Sequence, residues 1–148
     1  PSAHSPTVEV VPGVTEALKE LHRQYLCCLA SNARGPEATA LGLVLEKAGL
    51  DKYIGHVFTT QELGAEKPDA RFFKSMLAKL KLQPHECIMV GDDYAADISG
   101  AKAVGIKTVW FTEHTGREAR DADVVISAMK ELVPAIAKLA AQGEHVAP

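Results

Sequence analysis

The sequence predicts a three-layer α/β domain, a parallel sheet with helices on both faces. Two observations carry that prediction. Apolar runs of strand length alternate along the chain with helical patterns of period 3.6, which is the signature of parallel strands joined by crossover helices. The residues able to do chemistry also fall just after apolar runs or in loops, where the carboxyl ends of parallel strands form a rim.

The elements follow in order. Pro12-Gly13 precedes a helix whose Val14, Ala17, Leu18 and Leu21 share one face, and Leu26 to Ala30 reads as the first apolar strand. Ala38, Leu41, Leu45 and Ala48 repeat the helical pattern from Pro36 to a stop at Gly49, and His56 to Thr60 is strand-like. Asp69 is placed to cap a helix that turns Phe72, Phe73, Met76, Leu77 and Leu80 inward. Cys87 to Val90 is the next strand, and a helix with Ile98, Ala101 and Val104 stops at Gly105. Lys107 to Phe111 and Val124 to Ile126 are the last strands, with Trp110 and Phe111 expected in the core. A final helix carries Leu132, Val133, Ile136 and Leu139, and Pro134 either begins it or kinks it. Pro1 to Pro6 and Gln142 to Pro148 read as loose tails of a single domain spanning residues 1–148, without a cap domain.

At 148 residues the chain suits one domain, and its net charge of −3, with no basic run, argues against nucleic acid as a partner. No apolar stretch approaches the length of a membrane span and no signal peptide is visible, so neither the membrane nor secretion is expected. The first residue is not Met, which suggests a processed or trimmed chain. Of three cysteines, Cys27 and Cys28 are neighbours on a strand and must point to opposite faces. They read as reduced core thiols, and a cytoplasmic location is expected. The histidines are scattered without metal-ligand spacing; His22 and His85 are expected on the surface, and His114 is a candidate substrate contact.

The chemistry is sought at Gly91-Asp92-Asp93, with Asp97 beyond, at the end of the apolar run Cys87 to Val90. Three carboxylates around a strand end repel one another unless a cation lies among them, which points to a hard, oxygen-seeking ion such as Mg2+. The competing account is an acidic first turn of a helix, favoured by the helix dipole. Two other segments bear on the choice. Ser31-Asn32 ends the first apolar strand, and Gly64-Ala65-Glu66-Lys67-Pro68-Asp69 puts a lysine in a loop before a helix.

Strand then Ser-Asn, loop Lys-Pro, and strand then Gly-Asp-Asp with a following Asp: this order resembles the second, third and fourth motifs of the haloacid dehalogenase-like (HAD) hydrolase superfamily, mostly magnesium-dependent phosphatases. The resemblance extends from Pro12 to about Leu139 and implies a Rossmann-like, HAD-type core. It implies that Ser31 hydrogen-bonds the transferring phosphoryl group, with Asn32 beside it in substrate binding. Lys67 would neutralise phosphate and nucleophile, Asp92 would bind magnesium with Asp93 as a second candidate ligand, and Asp97 would orient Lys67 or a metal-bound water. Phosphoryl transfer asks for positioned positive charge around three phosphate oxygens, and a lysine, a hydroxyl and a metal supply it.

The family's nucleophile is the first Asp of an Asp-x-Asp motif that ends a strand, and the aspartates here are 51, 69, 92, 93, 97, 121 and 123. Only Asp121-Ala122-Asp123 has that spacing, and it precedes its apolar run instead of following it, so it reads as a polar turn into a late strand. The resemblance also places the nucleophile's strand mid-sheet, between those ending at Ser31 and Asp92. Thr7 to Val11 could fill that slot through a right-handed crossover; otherwise a second chain, homo-oligomer or preceding segment must close it. The sequence therefore predicts a phosphatase-type core acting on a small phosphorylated metabolite, incomplete or inactive as given. The alternative is a non-catalytic module that keeps a metal or phosphate pocket. A phospho-receiver domain also needs acids and a lysine, but in the reverse chain order.

Overall fold

The computed structural model describes residues 12–113 and 121–144. Its elements are α1 (Val14–Leu21), β1 (Cys28–Ser31), α2 (Gly35–Lys47), β2 (His56–Thr59), α3 (Thr60–Leu63), α4 (Ala70–Leu80), β3 (Ile88–Gly91), α5 (Gly100–Ala103), β4 (Lys107–Phe111), β5 (Val124–Ile126) and α6 (Leu132–Glu144). A π-helical turn, Tyr94–Ser99, leads directly into α5.

All strand pairs among the described residues are parallel. β1 pairs with β2, Ser31 opposite Thr59, and β4 lies between β3 and β5, Gly91 opposite Trp110 and Phe111 opposite Ile126. Alternation along the strands feeds two helical layers. Cys27, Ile88, Val90, Val109 and Phe111 pack with α1 and α6 on one face. Cys28, Ala30, Met89 and Phe58 pack with α4 and α5 on the other, so Cys27 and Cys28 do part to opposite faces. The α4–α5 layer touches both strand groups and holds them in one three-layer α/β architecture.

Among the described residues β1 and β3 each pair with a strand on one side only, and a single side chain, Lys67, bonds both to the Ala30 carbonyl of β1 and to Asp97 beyond β3. Every residue of β1 and β3 is only half-buried, whereas four of the five in β4 are buried. The Cys27 carbonyl accepts from the Gly55 N–H at 2.7 Å, on the β2 side. Carbonyls alternate along a strand, so that of Ala30 faces away from β2. This is where the family resemblance puts the nucleophile's strand; Thr7 to Val11 lie outside the described residues.

Several local expectations are corrected. The first strand begins at Cys28, and Leu26, expected within it, is 64% exposed. Of the apolar residues expected beneath α2, only Leu45 is buried, and Ala48 is exposed. The helix is periodic, but little packs against it. Pro134 is the third residue of α6, where its missing N–H falls among first-turn amides that lack intrahelical acceptors, so it belongs to the helix start. Gln142, expected in a loose tail, is within α6.

Candidate active site

Ser31 ends β1, and its Oγ accepts from the Ala33 N–H at 3.1 Å, a local bond that turns the chain off the strand. Asn32 then reaches across to the lysine loop. Its Oδ1 accepts from the Lys67 N–H at 2.8 Å, and its Nδ2 donates to the Lys67 carbonyl at 3.2 Å. The amide thus holds the lysine's peptide groups from both sides. Two further ties lie alongside: the Gly35 N–H at the start of α2 donates to Gln61 Oε1 of α3 at 2.8 Å, and an exposed Arg34–Glu66 pair joins the two loops but adds little.

Lys67 extends from this clamp toward the end of β3. Nζ donates to the Ala30 carbonyl at 3.0 Å and to Asp97 Oδ1 at 2.6 Å, so one ammonium links the edge of β1 to the loop after β3. Both side chains of the ion pair are largely buried, 10% and 8% exposed. The π-helical turn brings Asp97 back over the strand end: its N–H donates to the Asp93 carbonyl at 2.8 Å, and its Oδ2 accepts from the Asp93 N–H at 3.3 Å. Such extra-residue turns occur often at functional sites. Gly91 makes the approach possible, because a Cβ there would run into the Asp97 carboxylate. Gly100 likewise allows a close approach, since a Cβ there would lie 2.7 Å from Phe73 and 3.0 Å from Pro68.

The acids divide their work. Asp93 Oδ1 accepts from the Ala96 N–H at 3.0 Å and so caps the turn, while Asp97 is committed to Lys67. Asp92 is exposed, and among the described residues its carboxylate makes no hydrogen bond or ion pair; only its backbone is held, the carbonyl accepting from Trp110 Nε1 at 3.0 Å. No group of three His, Cys, Asp or Glu side chains converges as a metal cluster among the described residues. The donor set still fits magnesium, which keeps several waters and takes one or two carboxylates.

The other candidates are accounted for. Asp121 and Asp123 form a stapled polar turn: the Asp121 N–H donates to the Tyr94 hydroxyl at 2.9 Å, and Asp123 Oδ2 accepts from the Thr108 N–H at 2.8 Å. Burial alone would raise the Asp123 carboxyl, but bonds from Thr108 and Lys102 together hold it below the usual range. Burial pushes the thiols of Cys27, Cys28 and Cys87 up, which keeps them protonated and poorly nucleophilic. His22 and His85 are exposed, and His114 lies outside the described residues. A cleft of about 300 Å³ opens beside Ser31 and Asn32, walled by Glu37, Ala40, Leu41 and Val44 of α2; neither Lys67 nor Asp92 lines it.

Sequence reasoning missed Gln61 and Trp110 as parts of the site, and it treated Asn32 as a substrate contact without its bonds to Lys67. No local signal marks these links, which join residues far apart in the chain.

The family model for haloacid dehalogenase-like hydrolases matches residues 5–105. The chain belongs to that family. It is 38% identical over 143 residues to the ribulose-1,5-bisphosphate 5-phosphatase of Halopiger xanaduensis, an alignment covering 88% of this chain and 58% of that protein. It is 37% identical over 102 residues to the glyceraldehyde 3-phosphate phosphatase of Pyrococcus furiosus, covering 68% and 41%. Among solved structures, a HAD phosphatase from Thermococcus onnurineus superposes with a TM-score of 0.72 at 31% identity, covering 86% of this chain and 58% of that one. The HAD hydrolase YfnB of Bacillus subtilis, solved with magnesium bound, superposes at 0.77 with 19% identity and so supports the fold alone. The chain spans less than two thirds of the length of each of these proteins. Among the described residues, no helix is long and apolar enough to cross a membrane.

Proposed function

We propose that this chain supplies the phosphate- and metal-binding half of a magnesium-dependent phosphate monoester hydrolase. The observation that carries the reading is Lys67: a largely buried ammonium held by the carbonyl of Ala30, the residue before Ser31, and by Asp97, whose carboxylate also accepts from the Asp93 N–H. The substrate class is a small phosphorylated metabolite, in keeping with the phosphatase names of its relatives.

In this reading Lys67 neutralises phosphoryl oxygens, Ser31 Oγ donates a hydrogen bond to one of them, and Asp97 holds the ammonium in place. Asn32 fixes the loop from which Lys67 extends. Asp92, with Asp93 behind it, would hold Mg2+, which supplies further positive charge to the same oxygens when bound. The aspartate nucleophile would come from a strand entering between β1 and β3, from a preceding segment or a second chain, and its carboxylate would then lie beside Lys67. Three free cysteines suit a reducing compartment such as the cytoplasm.

The 148 residues alone are expected to hydrolyse generic phosphate esters at background level, because phosphoryl transfer through the enzyme needs that nucleophile. Joining the chain to a segment that bears a strand ending in Asp-x-Asp should restore magnesium-dependent turnover, and Lys67→Ala should abolish it. Strong hydrolysis by the 148 residues, lost in Asp92→Ala, would reveal a nucleophile that this reading does not contain. The second reading is a binding module without turnover, favoured by the engagement of every described aspartate near the site except Asp92. If the extended protein binds phosphate through Lys67 and Ser31 yet never turns over, that second reading stands.

A further inference from the structure

Trp110 is the chain's one tryptophan, and in sequence it looks like an ordinary core residue of β4. It is 3% exposed. In the register of the sheet it lies opposite Gly91, the residue before Asp92. Its indole does more than fill space: Nε1 donates to the Asp92 carbonyl at 3.0 Å. Its ring meets Tyr94 edge-on at 4.9 Å, and the Tyr94 hydroxyl accepts from the Asp121 N–H. The indole therefore reaches one residue past its sheet partner and holds the peptide between Asp92 and Asp93, while the ring stack and the Asp121 bond fix the indole in turn.

That peptide is the hinge of the acidic turn. Its carbonyl belongs to Asp92, the one of the turn's three aspartates whose carboxylate makes no hydrogen bond or ion pair among the described residues, and its N–H, on Asp93, donates to Asp97 Oδ2. Both polar groups of the peptide are thereby held, one by β4 and one by the π-helical turn. A rotation of this peptide would swing the Asp92 side chain and break the Asp93–Asp97 bond together.

We propose that Trp110 is a positioning residue for the metal-binding turn, setting the direction of the Asp92 carboxylate through the indole N–H bond. The inference rests on the magnesium reading above, and it extends the site to β4 by way of a residue that touches neither phosphate nor metal. Groups that orient a metal ligand from behind typically change metal affinity by about 10-fold or more when removed.

Trp110→Phe keeps the aromatic ring and removes the N–H. Calorimetric titration with Mg2+ should show affinity about 10-fold weaker than in the native chain, with an unchanged circular dichroism spectrum. In the native chain, the indole 1H–15N resonance should move during the same titration and with the same midpoint as the Asp92 amide. Equal Mg2+ affinity in Trp110→Phe, or an indole resonance that ignores magnesium while the Asp92 amide moves, would overturn the proposal. If the native chain binds no Mg2+, the metal reading fails on its own. The positioning role is then decided by 15N relaxation of the Asp92, Asp93 and Tyr94 amides, which should gain motion in Trp110→Phe; amides as rigid as in the native chain refute it. Should Trp110→Phe not fold, the native chain decides: an indole N–H that exchanges with solvent deuterium as fast as a free indole would show that the bond to the Asp92 carbonyl is not held and would overturn the proposal, whereas a protected indole N–H supports it.

Discussion

Lys67 donates from Nζ to Asp97 Oδ1 at 2.6 Å, tying the β1–β2 strand group to the turn after β3, and both side chains are at most 10% exposed. A buried pair of this kind is weak evidence of net stabilisation, because desolvation offsets most of the attraction. Its loss is another matter. Removing one partner leaves a charge buried without compensation. Lys67→Met and Asp97→Leu, each alone, should destabilise the chain by about 3–5 kcal/mol in urea unfolding, whereas the double substitution should recover most of the loss. Additive losses would mean that the two charges are solvated independently.

The positions of Ser31, Lys67 and Asp92 were legible in the sequence because their signals are local. An apolar run followed by a polar residue marks a strand end, and Gly-x-x-Lys-Pro-Asp marks a loop before a capped helix. The bonds that turn these positions into a site were not legible. Asn32 and Lys67 are 35 residues apart and Trp110 and Asp92 are 18 apart, so only the folded chain brings them together. The π-helical turn was hidden for the same reason: Ile98, Ala101 and Val104 give a helical period, and the widened turn that contains Ile98 follows from Asp97 folding back on Gly91. α2 shows the opposite failure. Its period was plain, but what covers Leu41 and Leu43 is not a local property, and Leu43 is left 56% exposed.

Gly91→Ala tests the closeness of that fold-back. The added methyl would overlap the Asp97 carboxylate, a charged group held from the other side by Lys67 and unable to retreat freely. Forced overpacking of this sort costs about 1–3 kcal/mol. Thermal unfolding should show the loss, and the Asp93 amide resonance should shift as its bond to Asp97 is disturbed. A stable variant with an unmoved Asp93 amide would show that the turn can take up the methyl without disturbing the Asp97 bond.

Asp123 links stability to acid. The folded protein holds its carboxyl below the ordinary 3.8, so on acidification the unfolded chain takes up this proton first. The contribution is therefore complete above about pH 4 and is lost as pH falls through the lower folded value. The effect comes mainly from the Thr108 N–H, since Thr108 is fully buried, while the Lys102 partner is half exposed and contributes little. Asp123→Ala should cost about 1–3 kcal/mol near neutral pH by leaving that N–H unsatisfied. The gap between native chain and Asp123→Asn should narrow below pH 4; a gap constant down to pH 2.5 would contradict the assignment.

Asn32 separates holding from touching. If its amide serves the lysine loop, Asn32→Ala leaves the Lys67 N–H and carbonyl without the partners they have at 2.8 and 3.2 Å. The loop is exposed, so water can replace these bonds and folding stability should change by less than about 1 kcal/mol. Aim is lost instead, and a displacement of about 1 Å in a positioned group can lower a rate by about 100-fold. In the protein extended with its nucleophile strand, Asn32→Ala should therefore lower kcat strongly with a smaller change in KM. Asn32→Asp keeps the acceptor for the Lys67 N–H and should retain more activity than Asn32→Ala, despite the added negative charge. A substrate contact predicts the reverse, because a carboxylate beside the phosphate would repel it and raise KM most in Asn32→Asp. That ordering would return Asn32 to the substrate side of the site.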